Sequence, residues 1–227
     1  MLMNKTSYTN LAKAWEFAED VAFSQQDPLV LEARRDAEQA GFPQGSATQA
    51  RFLKLLVQLT DSSSIIVAGT AAVVESCELV AGLNDSGLLT EVDSSLQGGK
   101  LIKSVFAKLD ELTNTTLRAV NAPAEVFLPR LNAEDYDLIV ANGDIGNYEA
   151  SLKEAPRLLK PRGMLVFTDM LGFAADNSNG GMLNPVDRSE RTVRLRQLLD
   201  AVSQDESLSQ TLLPIGTGLL LVTRNTR

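Results

Sequence analysis

In the second half of the chain the segment Tyr136 to Tyr148, YDLIVANGDIGNY, sets polar groups directly behind a short apolar run. Such a run reads as a buried parallel strand, and the loops beyond the carboxyl ends of these strands are where α/β sheets receive ligands. Asn142 and Asp144 then stand in position to meet one. The first is an amide that donates and accepts; the second is a carboxylate that can take a proton. Other strand-like runs end in the same way: IIVA at Gly69 and Thr70, LLTEV at Glu91, and MLVFT shortly before Asp169. Glycine after a strand lets backbone approach a ligand closely. The chain holds no histidine, which removes Ser-His-Asp and Cys-His catalysis, imidazole zinc sites and the usual neutral-pH proton shuttle. A base must therefore be Asp, Glu, Lys, Tyr or the single cysteine, Cys77.

The elements that would carry these residues follow from hydrophobic spacing. Before Asp61 the pattern is helical, over Leu11–Phe23, Leu29–Gln39 and Ala47–Leu59, with Asp27-Pro28 and GFPQGS as breaks. In the third of these, Phe52, Leu55, Leu56 and Leu59 suggest the apolar face. After Asp61, runs at Ile65–Ala68, Leu88–Val92, Leu117–Val120, Leu138–Ala141 and Met164–Thr168 alternate with helical stretches, the signature of βαβ units on a parallel sheet. One intervening helix carries Leu101, Ile102, Val105, Phe106, Leu109 and Leu112 on one side. A last helix over Asp187–Val202 opens on Asp187 and Glu190 as a capping pair. Leu208–Leu213 and Leu219–Thr223 flank PIGTG and form a terminal hairpin. The Gly- and Asn-rich stretch between Met170 and Val186 lacks periodicity and reads as a lid or as disorder.

Bulk properties narrow the class. The 227 residues, 44% hydrophobic, suffice for one α/β domain, with residues 1–60 as a helical extension and 61–227 as the core. A net charge of −8 argues against nucleic acid or an anionic membrane surface as partner. The cluster Arg188, Arg191, Arg194 and Arg196 reads as a solvated helix face, with an anion contact as the alternative. No apolar run approaches the roughly 20 residues that span a bilayer. One cysteine and no secretory leader pattern point to the cytoplasm.

Taken together, IIVAGTAAVVES, LLTEVD, NAPAEVF, YDLIVANGDIGNY and GMLVFTDML resemble the motif blocks of S-adenosylmethionine-dependent O-methyltransferases of the catechol and caffeoyl-CoA type, in their actinobacterial branch. The resemblance implies a class I methyltransferase (Rossmann-like) fold: a mostly parallel seven-stranded sheet with an antiparallel C-terminal hairpin. It implies methyl transfer from S-adenosylmethionine to the hydroxyl of a small acceptor, and a homodimer through the N-terminal helices. Gly69 and Thr70 match the family's cofactor loop, Glu91 its ribose-binding acid, Ala124 its adenine-packing position, and Asn142 lies beside the methyl-bearing end. Trp15, Tyr8 and Phe17 would border an acceptor pocket or serve as core or dimer contacts.

The departures are as informative. Val67 and Val73 replace an acid and a glycine, Glu75 stands for a serine near the cofactor's carboxylate, and Pro123 removes a donor beside the base. At the family's metal positions, Asn142 falls on the first aspartate, Asp144 on the second, and Met170 replaces the asparagine after Asp169. Ile145 takes the place of the lysine base. These changes imply no divalent metal and leave Asp144 as base, or else as the cap of the next helix. An alternative is a catalytically degenerate protein that keeps the fold as a ligand-binding or interaction module. A nicotinamide dehydrogenase is disfavoured, because GTAAVVES lacks the G-x-G-x-x-G spacing.

Overall fold

A computed structural model of the protein describes residues 5–171 and 180–225, with side chains from Leu11 onward. Three helices lead: α1 (Lys5–Ser24), α2 (Pro28–Gln39) and α3 (Ala47–Thr60). Each of the latter two begins where the sequence supplies a cap. Asp27 accepts the Leu29 N–H at 2.9 Å, and Pro28 sits in the first turn, where a missing N–H costs nothing. Ser46 accepts from Gln49 N–H at 3.2 Å. Glu19 of α1 adds its carboxylate to the start of α3, accepting from Ser46 Oγ, Ala47 N–H and Thr48 N–H at 2.6, 2.5 and 3.1 Å. Burial opposes its ionisation, yet these bonds outweigh it and hold its pKa below the ordinary glutamate value.

The remaining elements are β1 (Ser64–Ala68), α4 (Val73–Gly82), β2 (Leu88–Asp93), α5 (Leu96–Asp110), β3 (Thr116–Asn121), α6 (Ala124–Phe127), β4 (Tyr136–Ala141), α7 (Ile145–Leu158), β5 (Leu159–Phe167), α8 (Glu190–Gln204), β6 (Leu208–Leu213) and β7 (Leu219–Arg224). The strands form one sheet in the order β3-β2-β1-β4-β5-β7-β6. The first five are parallel, while β7 runs antiparallel to both β5 and β6. The fold is therefore the α/β class expected, with the expected hairpin at one edge. Chain order reverses between β1 and β4, so a crevice opens beyond the ends of those two strands. Registers Ala68↔Val92, Ala68↔Ala141 and Ala141↔Phe167 bring Gly69, Asp93, Asn142 and Thr168 to one edge of the sheet.

Both faces of the sheet's centre are covered, which is why β1 and β4 are apolar over most of their length, whereas the outer strands β3 and β6 alternate or carry polar residues. Val67, Leu89, Leu138 and Val140 pack under α2 to α5; Ile66, Ile139, Leu165 and Phe167 pack under α7 and α8. No helix among the described residues is long and apolar enough to cross a membrane.

Several boundaries and faces differ from expectation. In α3 the buried stripe is Ala50, Leu53, Leu56 and Val57, whereas Leu55 and Leu59 are exposed. Both phases satisfy helical spacing, and only the docking of α4 selects between them. Leu112 lies past the end of α5 and is exposed. Strand β2 runs on to Asp93, two residues beyond Glu91. Helix α8 starts at Glu190, with Ser189 at the cap position; Asp187 instead accepts the N–H groups of Gly181 and Ser189 at 2.9 and 2.8 Å.

In the arginine cluster Arg188 is exposed and Arg194 lies at the surface, as a solvated face would have them, whereas Arg191 and Arg196 are tied into the structure. Arg191 donates to Gly143 O and Tyr148 Oη, Arg194 pairs with Glu149, and Arg196 ties the carbonyls of Asn184 and Asp187.

Candidate functional site

The turns after β1 and β4 are each built around a glycine. A side chain at Gly69 would place its Cβ 2.8 Å from Ala72 Cβ and 2.9 Å from Asn142 Oδ1. Gly143 adopts φ +75°, and a Cβ there would lie 2.4 Å from Thr70 Oγ1. The two loops thus interlock, and the Thr70 N–H donates to Asn142 Oδ1 at 3.2 Å. Gly69, Thr70 and Asn142, residues 72 or more apart along part of this contact, meet at the switch point. Arg191 closes the arrangement by donating to Gly143 O at 2.6 Å.

Three acids lie beside this turn, all nearly inaccessible. Glu91 is 0% exposed and sits beneath the loop, accepting the Ala72 N–H at 3.0 Å and the Ser76 hydroxyl at 2.6 Å. Burial pushes its carboxyl up to about 8, with the Ser76 bond opposing. Asp93, at the true end of β2, accepts from Ala71 N–H at 2.8 Å and Ser95 N–H at 2.7 Å. Gly98 makes room for it, since a Cβ at that position would come within 2.0 Å of Asp93 Oδ2. Burial raises its pKa as well, against the two backbone bonds, and the charge of Asp144 adds to the rise. Glu75, in the first turn of α4, is 1% exposed; burial first, and then the neighbouring charge of Asp169, push its carboxyl up to about 7.

Asp144 is exposed at the rim, at the N-cap position of α7, but its side chain makes no capping bond. Asn147 ties the turn instead, donating from Nδ2 to Asn142 O at 3.0 Å. Ala124 is buried in the core under α7, beside Leu128 and Tyr148, so it underlies the end of β3 rather than lying open there. Asp169 adopts φ 53° and accepts from the hydroxyls of Thr168 and Thr217. Met170 is wholly buried. At the family's metal positions the chain therefore offers an amide oxygen bonded to Thr70, the exposed carboxylate of Asp144, and an Asp169 carboxylate bonded to two threonines beside Met170. Among the described residues no three His, Cys, Asp or Glu side chains are grouped as metal ligands.

Sequence reasoning missed Gln44, Gln49, Thr217 and Arg191, because each reaches this edge from a distant element. Gln44 donates to Ala71 O at 3.0 Å and accepts from Val74 N–H at 3.3 Å. Thr217 donates toward both Gln49 Oε1 and Asp169 Oδ1. The residues expected to border an acceptor pocket behave differently: Trp15 is 55% and Phe17 71% exposed, and the Tyr8 side chain lies outside the described residues, as do residues 172–179 of the expected lid. A separate cleft of about 470 Å³, lined by Arg51, Lys54, Cys77, Glu78, Leu83 and Leu109 among others, shares no residue with this edge. Burial there pushes the Cys77 thiol well above its ordinary value, so it is no ready nucleophile.

The chain as a whole is similar to known proteins in sequence and in fold. A relative from Mycobacterium avium (strain 104) that carries a provisional O-methyltransferase name is 30% identical over 200 residues, covering 88% of this chain and 87% of its own. Among solved structures, the O-methyltransferase from Bacillus cereus in complex with SAH superposes with TM-score 0.76 at 18% identity, over 94% of this chain and 97% of that one. A Klebsiella pneumoniae protein, also provisionally named an O-methyltransferase, gives 0.77 at 23% over 94% and 99%. At these identities the structures speak for the fold. The sequence model of the family described as O-methyltransferase matches residues 23–225, nearly the whole chain, and with the relative's 30% identity it establishes that this protein belongs to the O-methyltransferase family.

Proposed function

We propose that this protein transfers a methyl group from S-adenosylmethionine to the hydroxyl of a small-molecule acceptor, without help from a divalent metal. The observation that carries this is the interlocked Gly69–Thr70 and Asn142–Gly143 turns at the switch point, with an uncapped, exposed Asp144 beside them. The bound cofactor would supply an electrophilic methyl group on a sulfonium. The chain's own part is to hold and to deprotonate. Gly69 admits the methionyl part of the cofactor close to backbone, Thr70 and Asn142 shape the methyl-bearing end, and Ala124 supports the adenine from beneath. Glu91, expected at the ribose, has both oxygens engaged by the Ala72 N–H and the Ser76 hydroxyl, so we reassign the ribose hydroxyls to Asp93 at the strand's end. Asp144 takes the acceptor proton as the oxygen attacks.

Approximation of nucleophile and methyl group supplies most of such a rate, so a site without metal remains competent. Support for metal independence is that Asn142 Oδ1 and the Asp169 carboxylate are already engaged within the chain and Met170 brings no oxygen, which leaves Asp144 as the one open carboxylate at the family's metal positions. The reading includes a homodimer in the cytoplasm, joined through the exposed apolar residues of α1 and α3, and a small molecule rather than nucleic acid as partner. No observation favours the non-catalytic alternative over this reading.

Calorimetry with S-adenosylmethionine and S-adenosylhomocysteine, followed by methyl-transfer assays on catechols and phenols, tests it. Binding is expected, and activity is expected to survive a chelator. Asp144→Asn should lower kcat by about 10²- to 10⁴-fold with little change in cofactor affinity. Absence of binding at millimolar ligand, or activity that requires added magnesium, would refute it.

A further inference from the structure

Where β1 meets α4, the backbone N–H groups of residues 69–74 are already taken and none is open to an incoming anion. Gly69 N–H is taken by Val92 O at 3.0 Å, Thr70 by Asn142 Oδ1 at 3.2 Å, Ala71 by Asp93 Oδ2 at 2.8 Å and Ala72 by Glu91 Oε1 at 3.0 Å. Val73 N–H goes to Ala71 O at 2.8 Å and Val74 N–H to Gln44 Oε1 at 3.3 Å. A helix start binds carboxylates or phosphates through just such N–H groups and its positive pole. Here the pole already faces Glu75, Glu91 and Asp93, which oppose one another electrostatically.

One of these carboxyls is only partly satisfied, held by its own backbone N–H and the Asn142 side chain but with one oxygen left over. Glu75 is 1% exposed, and its Oε1 has no hydrogen-bond partner. It lies against the Gly45 backbone, 2.5 Å from where a Cβ would stand, and Gln49 Nε2, also buried and without a partner, lies 3.2 Å from the same point. On its other side are Asn142 and Asp169, at the crevice ends of β4 and β5. Arg34, a cation that acts on Glu75, binds the Gly45 carbonyl at 2.8 Å, and its attraction for Glu75 is weaker than the repulsion from Asp169. A ligand group entering here meets the carboxyls of Glu75 and Asp169 and finds no open N–H of the turn, with the side-chain amides of Gln49 and Asn142 as the neutral donors beside Glu75.

We infer that this subsite accepts an ammonium and rejects a carboxylate, so that the chain prefers a sulfonium nucleoside whose side arm ends in a primary amine, S-adenosylmethionine without its carboxyl group, to S-adenosylmethionine itself. The inference rests on the methyl-donor reading above and specifies the tail of that donor. Glu75 is then a specificity-determining residue: its carboxyl pairs with the amine, and Asp169 reinforces it from the crevice side. The reacting sulfonium and methyl group are the same in both donors, so the chemistry at Asp144 is unaffected by the choice.

Calorimetry on the wild-type protein at pH 8 with S-adenosylmethionine, its decarboxylated form and the uncharged nucleoside 5′-methylthioadenosine decides the matter. The decarboxylated donor should bind about tenfold tighter than S-adenosylmethionine or better, the scale of one differential charge contact. Glu75→Gln, isosteric and checked for native circular dichroism, should shrink that ratio to about threefold or less, and Glu75→Ser should move it the same way. Equal or tighter binding of S-adenosylmethionine by the wild type overturns the inference while leaving the methyl-donor reading intact, as does a preference that both folded variants retain. If none of the three nucleosides binds, the methyl-donor reading itself fails, and this inference with it.

Discussion

Glu91 and Glu75 are carboxyls that the fold keeps protonated to unusually high pH, and their consequence is a stability that depends on pH in a definite direction. Their pKa values are raised from 4.5 to about 8 and about 7, chiefly by burial. Between pH 4.5 and 8 the native chain therefore holds protons that the unfolded chain has released, so stability is greatest at the low end and declines as pH rises. The slope approaches about 1.4 kcal/mol per pH unit for each group while it is protonated only in the folded state. Thermal melts from pH 5 to pH 8.5 should show a falling Tm, and Glu91→Gln should flatten the fall. A Tm that rises across this interval would contradict it. At the same scale, Gly143→Ala places a Cβ on Thr70 in a backbone conformation that disfavours any side chain. A loss of about 2–3 kcal/mol in urea denaturation is expected, from strain and from displacement of Thr70.

At the scale of elements, the start of α3 is held from outside by Glu19 of α1, which receives two backbone N–H groups and the Ser46 hydroxyl. A carboxylate at a helix start is favoured by both hydrogen bonding and the helix dipole. Replacing it with Gln keeps the shape and removes the charge, at a cost of about 1 kcal/mol; Glu19→Ala should cost about 2 kcal/mol and loosen α1 as well. Urea melts combined with hydrogen exchange on α1 would report both, and unchanged protection of α1 in the Ala variant would argue against this anchoring. The same contact matters to the site, because α3 also carries Gln49 toward Thr217 and Asp169.

For the whole molecule, the exposed apolar residues Leu11, Trp15, Phe17, Val21 and Phe23 on α1, with Leu55 and Leu59 on α3, are unusual for a surface at this density. The homodimer proposed above would cover them. Sedimentation at micromolar concentration should show a dimer for the wild type and a monomer for Trp15→Glu, whereas a wild-type monomer would leave this face without that role. The sheet order itself places the candidate site, since only the reversal between β1 and β4 brings Gly69 and Asn142 together.

The amino-acid sequence alone determined the helices, the strands and the terminal hairpin, because periodicity, turn residues and caps such as Asp27-Pro28 act over a few neighbours. It also located Gly69, Thr70, Asn142 and Asp144, since polar residues that follow a buried strand must emerge at its end. Tertiary structure decided the rest. Which phase of α3 is buried depends on α4, and whether Arg191 is solvated depends on a carbonyl 48 residues away. Whether Glu91 or Asp93 ends β2 depends on pairing with β1 and β3. Glu75 could be read as an opponent of a ligand carboxylate, but not as a buried acid with an unpartnered oxygen. Burial is a property of what packs around a residue, and those neighbours come from four other elements.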